Sequence, residues 1–487
     1  MKKKLEITVR ETHFRIFFAL IAGITIAAMS QAASTDKVQH FVQVSPRDPR
    51  YFELSDGSPY IPIGLNIICP QWGKNEAEGL AQMDEWMRKL SENRGSFIRI
   101  WLSHRFWDIE HAKSGEFDSE KAKRIDSLLE MARRYGVRVK MTLEHFRSFD
   151  DTSEFGKPIH HVLQGGPAED VTDFFTGARS REQFKKKLDW YAQRYGGDPV
   201  IFAWELWNEI NCVKGQGWEQ WTKEMLEELH QRFPNNLATQ SLGSFDHADI
   251  RSLYRHICPL PGNNVVQVHR YLDLGASLKV CHGPVDLLAA DTIREMQVFN
   301  LNKPILLAES GAVEPHHSGP FRLYEKDEAG IILHDVLFAP FFAGAAGPGQ
   351  IWHWDKYVDK QNLWYHYARF AEAVKGLDPP AENFRPAQWP DPHLRIYVLI
   401  GKQTLLAWCR DAQNTWHSEL QKGKMPEPVC GATLDLDRAG IAADKAKVSI
   451  YGPWVDQWIA PNIEDNKVIL PDFTRSIVVR VEYDAER

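Results

Sequence analysis

Glu209 and Glu309 stand at positions where a carboxylate is costly unless something meets it. Glu209 follows Asn208 and ends an apolar run, residues 200–207, whose one charge is Glu205; Glu309 ends a second apolar run, 304–308. Both runs are too short for helices and read as buried parallel strands. A carboxylate just past such a strand needs water, a partner or a substrate, because burying it alone is prohibitive. Two of them, distant in sequence but alike in setting, fit a general acid/base paired with a nucleophile. That pairing is the chemistry of glycosidic bond cleavage.

The two runs belong to a series. Strand-like runs at 61–66, 97–101, 137–143, 199–207, 237–240, 265–268, 304–308 and 350–352 alternate with helix-patterned stretches at 79–90, 119–134, 181–195, 218–233, 248–256, 285–299, 326–338 and 363–375. Such alternation implies parallel strands joined by right-handed crossovers. Eight repeats over ~315 residues fit a TIM (β/α)8 barrel. An open doubly wound sheet is the competitor, but no glycine-rich phosphate loop opens any helix. Past Pro379-Pro380 the helical period disappears, and short alternating runs at 394–400, 404–409, 447–451 and 476–481 predict a smaller C-terminal antiparallel β-sandwich. The expected organisation is a signal peptide over 1–32, a barrel over 40–380 and an accessory domain over 385–487.

In a parallel barrel the reactive residues gather at the C-terminal ends of the strands. Those ends carry Asn66, the stretch 99–103, Glu144-His145, Asn208-Glu209, Gln240-Ser241, His269-Arg270-Tyr271, Glu309 and Trp352-His353-Trp354. The set is polar, aromatic and doubly acidic. It lacks the His-x-His of a metal-dependent barrel hydrolase, so neither metal nor cofactor is expected. His316-His317 reads as a solvated loop with no third ligand near it. Arg99 could serve the site or pair with Glu205, which itself reads as a buried structural carboxylate. Of the 17 Trp residues most read as core, with Trp72, Trp101 and Trp107 as candidates for sugar contacts.

Taken together, Trp207-Asn208-Glu209 and Ala308-Glu309-Ser310-Gly311 resemble the clan A retaining glycoside hydrolases, and most of all glycoside hydrolase family 5, the cellulase and mannanase group. The likeness runs over residues 50 to 376. It implies that Glu209 is the acid/base and Glu309 the nucleophile, with Arg99 beside it. It further implies that Tyr271, in His269-Arg270-Tyr271, hydrogen-bonds the nucleophile, and that Trp352 or Trp354 floors the central sugar subsite. Asn208 would bond the sugar 2-hydroxyl. The third strand departs from the group: Leu143-Glu144-His145-Phe146 stands where a His-rich end is expected, adding a third carboxylate near the site. The implied substrate is a β-linked poly- or oligosaccharide, mannan or glucan type. An exo-acting enzyme on another sugar (a galactoside or xyloside) and a non-catalytic carbohydrate-binding barrel are the alternatives. The inserts 149–180 and 310–325 are long enough to wall a cleft.

Composition agrees with a soluble enzyme of more than one domain. Of 487 residues, 43% are hydrophobic and 25% charged, and the net charge of -7 argues against nucleic acid as a partner. Basic residues up to Arg15, an apolar segment over 16–29 and Ser30-Gln31-Ala32 read as a secretory signal cleaved near Ala32. Export to the periplasm or medium, with no integral span left after cleavage, is the expectation. Among six cysteines, Cys258 with Cys281 and Cys409 with Cys430 are the pairs local enough for disulfides, free thiols being the other reading.

Overall fold

The structure is a computed structural model and describes residues 38–146 and 159–484. The expected signal, 1–32, and residues 149–158 of the first insert lie outside the described residues.

Five parallel strands form one sheet in chain order: Gly64–Asn66, Phe97–Trp101, Arg138–His145, Ile201–Asn208 and Leu237–Thr239. A second parallel pair joins Val266–His269 to Ile305–Glu309. These are the first seven expected strands. The eighth, 350–352, contributes only a bridge between Ser310 and Ile351. It is hemmed in by Gly347-Pro348-Gly349 before it and the helical turn Trp354–Asp359 after it. Its backbone still spans the gap: Gln350 N–H donates to Leu307 O (2.9 Å), Trp352 N–H to Ser310 O (2.9 Å), and Asn66 N–H to Ile351 O (3.1 Å). Between the fifth and sixth strands, side chains replace ladder partners. Asn264 Oδ1 accepts the Ala238 N–H (2.8 Å) and Asn263 Oδ1 that of Gln240 (3.3 Å). The parallel strands thus follow barrel order without one continuous closed ladder.

Helices cover the outer faces because their apolar residues recur at helical spacing. Glu76–Glu92 buries Met83, Trp86, Met87 and Leu90, an i, i+3, i+4, i+7 stripe. Its start is closed by a capping box in which Glu78 N–H donates to Asn75 Oδ1 (3.0 Å) and Asn75 N–H to Glu78 Oε2 (3.0 Å). The helix expected over 326–338 lies later, at Ile331–Phe342, because the Asp327 carboxylate accepts the N–H groups of Ile331 (2.8 Å) and Ile332 (3.0 Å) and so sets its start. All of its residues are buried.

The reason is the C-terminal unit. It holds a six-stranded antiparallel sheet (Arg385–Trp389, Leu394–Ile400, Thr404–Asp411, Ser476–Tyr483, Ala446–Gly452 and Gln457–Ile459, in spatial order) and a three-stranded one made of Thr433–Asp435, Lys467–Ile469 and Asn462–Glu464. Strand alternation splits the larger sheet's side chains. Ile396, Val398, Leu405 and Ala407 share a core with Leu434 and Val468 of the smaller sheet. Tyr397, Leu399, Leu406 and Trp408 join the core of the parallel strands and their helices. Buried charges pin this second contact: Arg410 pairs with Asp335 (Nε–Oδ1, 2.8 Å), and Asp286 accepts from Arg395 Nη2 (2.9 Å) and the Tyr397 hydroxyl (2.8 Å).

No disulfide joins Cys258 to Cys281 or Cys409 to Cys430. Among the described residues no helix is long and apolar enough to cross a membrane. Burial pushes the Asp335 carboxyl up to about 6 even against the charge of Arg410. Replacing Arg410 with Ala should therefore cost about 3–5 kcal/mol at pH 8, where Asp335 would be left ionised and unpaired. The cost should be smaller at pH 5, where the carboxyl takes up a proton instead. Denaturant midpoints of wild type and variant at the two pH values test this; an equal loss at both would contradict it.

Candidate active site

Arg99 projects from the second strand and is fully buried. Its Nε and Nη2 both lie 2.7 Å from Glu205 Oε2, Nη2 donates to Asn208 Oδ1 (2.7 Å), and Nη1 donates in a short contact to Glu309 Oε1. The sequence left open whether Arg99 serves the site or Glu205; one guanidinium does both. Burial works against the charge on Glu205, but Arg99 and Lys140 more than offset it and bring its pKa to about 2. The Thr142 hydroxyl (2.5 Å) and Gln267 Nε2 (3.2 Å) complete its shell. Lys140 pays for its place in the interior with a pKa lowered by burial to about 7.

The second oxygen of Glu309 accepts from the Tyr271 hydroxyl (2.7 Å). Burial and the neighbouring carboxylates raise the Tyr271 phenol, so it remains a donor. His269 stands between the two glutamates: its Nδ1 is 2.8 Å from Glu209 Oε1 and 3.5 Å from Glu309 Oε2. Burial lowers this imidazole to about 4, so it is neutral at neutral pH. Its Nε2 is buried with no hydrogen-bond partner among the described residues. Nδ1 is thus the atom that exchanges hydrogen bonds with Glu209.

Strand geometry explains the convergence. Glu205 and Asn208 both reach Arg99 although they are three apart, so the two-residue alternation breaks between them. Trp207 turns outward onto Phe174, Phe175 and Trp221. Glu209 then adopts φ 53°, ψ 52°, a left-handed conformation costing a non-glycine residue about 1–2 kcal/mol. Its N–H is held by Ser241 Oγ (3.2 Å).

A cleft of about 630 Å³ opens above these groups, with Asn208, Glu209, Tyr271 and Glu309 in its lining. Trp352 and Trp101 form an aromatic wall, their ring centroids 5.1 Å apart. Four expected site residues lie elsewhere. Trp354 is packed edge-on against Trp86 (6.4 Å), outside the cleft lining. Asn66 is spent on the seam between strands, its Nδ2 donating to Ala308 O (3.1 Å) and Gln350 O (3.2 Å). His145 stacks on Trp101 (4.7 Å) and meets Ser103 Oγ through Nδ1 (2.7 Å), so it backs the aromatic wall. Glu144 is not a third carboxylate of the site. It pairs in register with outward-facing Trp207 and is buried against Lys187 Nζ (2.5 Å), which also meets Glu110 (3.1 Å). Of the tryptophans weighed for sugar contacts, Trp101 lines the cleft, whereas Trp107 is core and Trp72 lies against Arg105.

Sequence reasoning missed the cleft's other side: Asn211, Cys212, Ser244, Asp246 and His317. These sit on loops after the fourth, fifth and seventh strands, where no periodicity fixes direction. His317 has the company the sequence did not reveal, because Asp246 and Asp273 bring carboxylates to it. Two triads, Glu209-His269-Glu309 and Asp246-Asp273-His317, hold potential metal-ligand atoms within 4.8 Å of one another. In the first, Arg99 and Tyr271 already occupy both oxygens of Glu309.

Paired glutamates at the strand ends, with a buried arginine and a tyrosine on one of them and an aromatic wall beside them, are the groups that cleavage of a glycosidic bond calls for. The chain matches the family described as Cellulase (glycosyl hydrolase family 5) over residues 55–331 and belongs to that family. It is 25% identical over 290 residues to mannan endo-1,4-beta-mannosidase 1 of Oryza sativa subsp. japonica, an alignment covering 53% of this chain and 66% of the relative. Against mannan endo-1,4-beta-mannosidase 7 of Arabidopsis thaliana the identity is 22% over 284 residues, covering 53% and 65%. The chain thus spans just under two thirds of these relatives' lengths. Its fold is similar to that of a solved glycoside hydrolase (TM-score 0.58, 12% identity, 92% of this chain and 98% of the other). It also resembles a putative glycoside hydrolase from Bacteroides vulgatus (TM-score 0.54, 14% identity, 92% and 83%). Likeness of this kind speaks to fold, and it agrees with the TIM barrel of the family.

His353 also lines the cleft, and burial lowers it to about 3. An unfolded chain protonates its histidines from about pH 6.5 downward, whereas His269 and His353 stay neutral in the fold until about 4 and about 3. Their contribution to stability is therefore lost as pH falls below about 6.5, each by at most about 1.4 kcal/mol per pH unit. His353→Gln should flatten the fall of unfolding free energy between pH 6.5 and 4. An unchanged slope would mean that His353 is already charged in the folded protein.

Proposed function

We propose that this chain is a retaining β-glycosidase that cleaves a β-linked poly- or oligosaccharide, mannan type favoured over glucan type, by double displacement. The observation that carries the proposal is the approach of the two carboxylates: oxygens of Glu209 and Glu309 lie within 4.8 Å of one another around one imidazole. Retaining enzymes hold their carboxyl groups about 5–5.5 Å apart, whereas inverting ones need about 6.5–9.5 Å to admit water.

In this reading Glu309 attacks the anomeric carbon as the carboxylate, supported by charge from Arg99 and a hydrogen bond from Tyr271. Glu209 begins protonated and gives its proton to the departing oxygen. It then removes a proton from the water that opens the glycosyl-enzyme. His269, neutral and within reach of Glu209 Oε1, orients that carboxyl. Arg99 occupies Asn208 Oδ1, which leaves the amide N–H groups for the sugar 2-hydroxyl, a bond that strengthens as positive charge grows on the ring. Trp352 offers its face to the sugar held at Glu309.

The mannan preference rests on the relatives, which are named mannan endo-1,4-beta-mannosidases. The two antiparallel sheets that share a core are read as the C-terminal sandwich, residues 385–487, behind a catalytic unit over 40–380. Residues 1–32 are read as the export signal of a secreted or periplasmic enzyme.

Glu309→Ala should lower kcat on a β-1,4-mannan or glucan oligosaccharide by about 10⁴-fold or more. Glu209→Ala should lower it by about 10²–10⁴-fold, with less effect on substrates whose leaving group needs no proton. NMR of the first-formed product should report the β anomer. Inverted product, or full activity in Glu309→Ala, would sink the proposal.

A further inference from the structure

The segment 310–325 leaves the end of the seventh strand through a turn that only glycine fits. Gly311 has φ +131°, and a Cβ there would sit 2.6 Å from the Tyr324 hydroxyl, which accepts the Ala312 N–H (2.6 Å). The segment then folds back on itself, with Val313 bridging to Pro320 and Glu314 N–H donating to Gly319 O (2.9 Å). At its tip His316 and His317 both have positive φ, 60° and 55°, each a cost of about 1–2 kcal/mol. The His316 N–H is held by Asp273 Oδ1 (3.0 Å). The outer end is held as well: Phe321 packs edge-on against Trp416 of the C-terminal unit (5.6 Å), and the Trp416 indole N–H donates to Gly283 O (2.9 Å).

These restraints turn the His317 ring into the cleft. It stands edge-on to Tyr271 (5.2 Å), with Nε2 3.4 Å from Asp246 Oδ2 and 3.6 Å from Asp273 Oδ2. Burial disfavours its charge, but the hydrogen bond to Asp246 and the charges of Glu209, Asp273 and Asp246 outweigh that and raise its pKa. The other imidazoles that face this cluster are His247, beside Asp246 (4.0 Å), and His353, which is neutral. With Nε2 beside the aspartates, Nδ1 has no hydrogen-bond partner among the described residues and is the ring nitrogen left for a ligand.

The place of His317 indicates which part of a ligand it meets. Trp101, Phe146 and Trp352 line the cleft from the second, third and eighth positions of the ring, while Asn211, Ser244 and Asp246 line it from the loops after the fourth and fifth strands. Glu209 ends the fourth strand, so the side that carries Asp246 and His317 is the side of the proton donor. A proton donor faces the departing oxygen. We infer that His317, clamped between Asp246 and Asp273, is a specificity-determining residue that hydrogen-bonds a hydroxyl of the leaving-group sugar. The inference rests on the reading of Glu209 as acid.

The test compares two substrates with the same sugars on the non-reducing side of the scissile bond: a β-1,4-linked manno-oligosaccharide, and the corresponding aryl glycoside, whose nitrophenolate departs without a sugar. His317→Gln should lower kcat/KM on the oligosaccharide about tenfold, mostly through KM, as loss of one charged hydrogen bond predicts. The aryl glycoside should lose much less, so that the ratio of the two changes severalfold. Asp246→Asn, which loosens the clamp from the other side, should shift the ratio in the same direction and serves if His317→Gln does not fold. Equal losses on both substrates, or none on either, would overturn the inference while leaving the roles of Glu209 and Glu309 standing. If wild type hydrolyses neither substrate, the mannan reading of the proposed function fails, and this inference with it.

Discussion

One buried guanidinium holds the centre of this molecule together. Arg99 reaches Glu205, Asn208 and Glu309 at once, and nothing smaller or less planar spans the three. A fully buried cation is stable only where anions and acceptors surround it, and here the anions are Glu205 and Glu309. Glu205 keeps Arg99 paired whatever the charge on Glu309, whereas losing Glu205 would loosen the group that positions Glu309. Structural and reactive electrostatics share an atom set. Lys140, beside Glu205 (3.8 Å), adds a second basic group to the interior, its pKa brought down by burial to about 7.

Reactivity at the strand ends depends on departures from regular geometry. A strict strand would point Asn208 away from Arg99 and leave Glu209 continuing the pleat. Instead the alternation slips after Glu205, Trp207 is driven outward among aromatic rings, and Glu209 enters the left-handed region. The apolar packing of Trp207 outside and the hydrogen bond from Arg99 to Asn208 inside act on adjoining residues from opposite faces. Their combined pull sustains a backbone conformation that neither propensity nor pairing favours.

This also explains what could be read from the sequence. The order of strands and helices was legible because buried parallel strands write themselves as short apolar runs. That Glu209, Glu309, Asn208, Arg99, His269, Tyr271 and Trp352 come together was legible because barrel geometry points strand ends at one place. Glu144 was misread through that same rule: proximity to a strand end says nothing of which face a residue takes when the pleat slips, and Lys187, from a helix, claimed it. Trp354 and Asn66 were misread similarly, one turning onto Trp86 and the other closing a seam. The loops that bring Asp246 and Asp273 to His317 carry no periodic signal, so the sequence showed an exposed loop, as it is, but not the carboxylates beside the His317 ring.

The C-terminal sheet belongs to the same logic of covering what cannot stand alone. The helix Ile331–Phe342 is buried on every side, which no helix at a barrel's outer surface can be in water. His334, Phe338 and Phe342 recur every four residues and form one stripe, and all three pack around Trp408 of the larger sheet. Uncovering a single large apolar side chain costs about 1.5–3 kcal/mol, so exposing this stripe would rival the stability of a typical domain. The sheet is thus a wall of the core that the parallel strands and their helices share. Because the same unit also grips Phe321 through Trp416, the packing that stabilises the helix reaches the segment carrying His317 into the cleft. A sheet with no residue near the two glutamates therefore bears on the shape of the site they share.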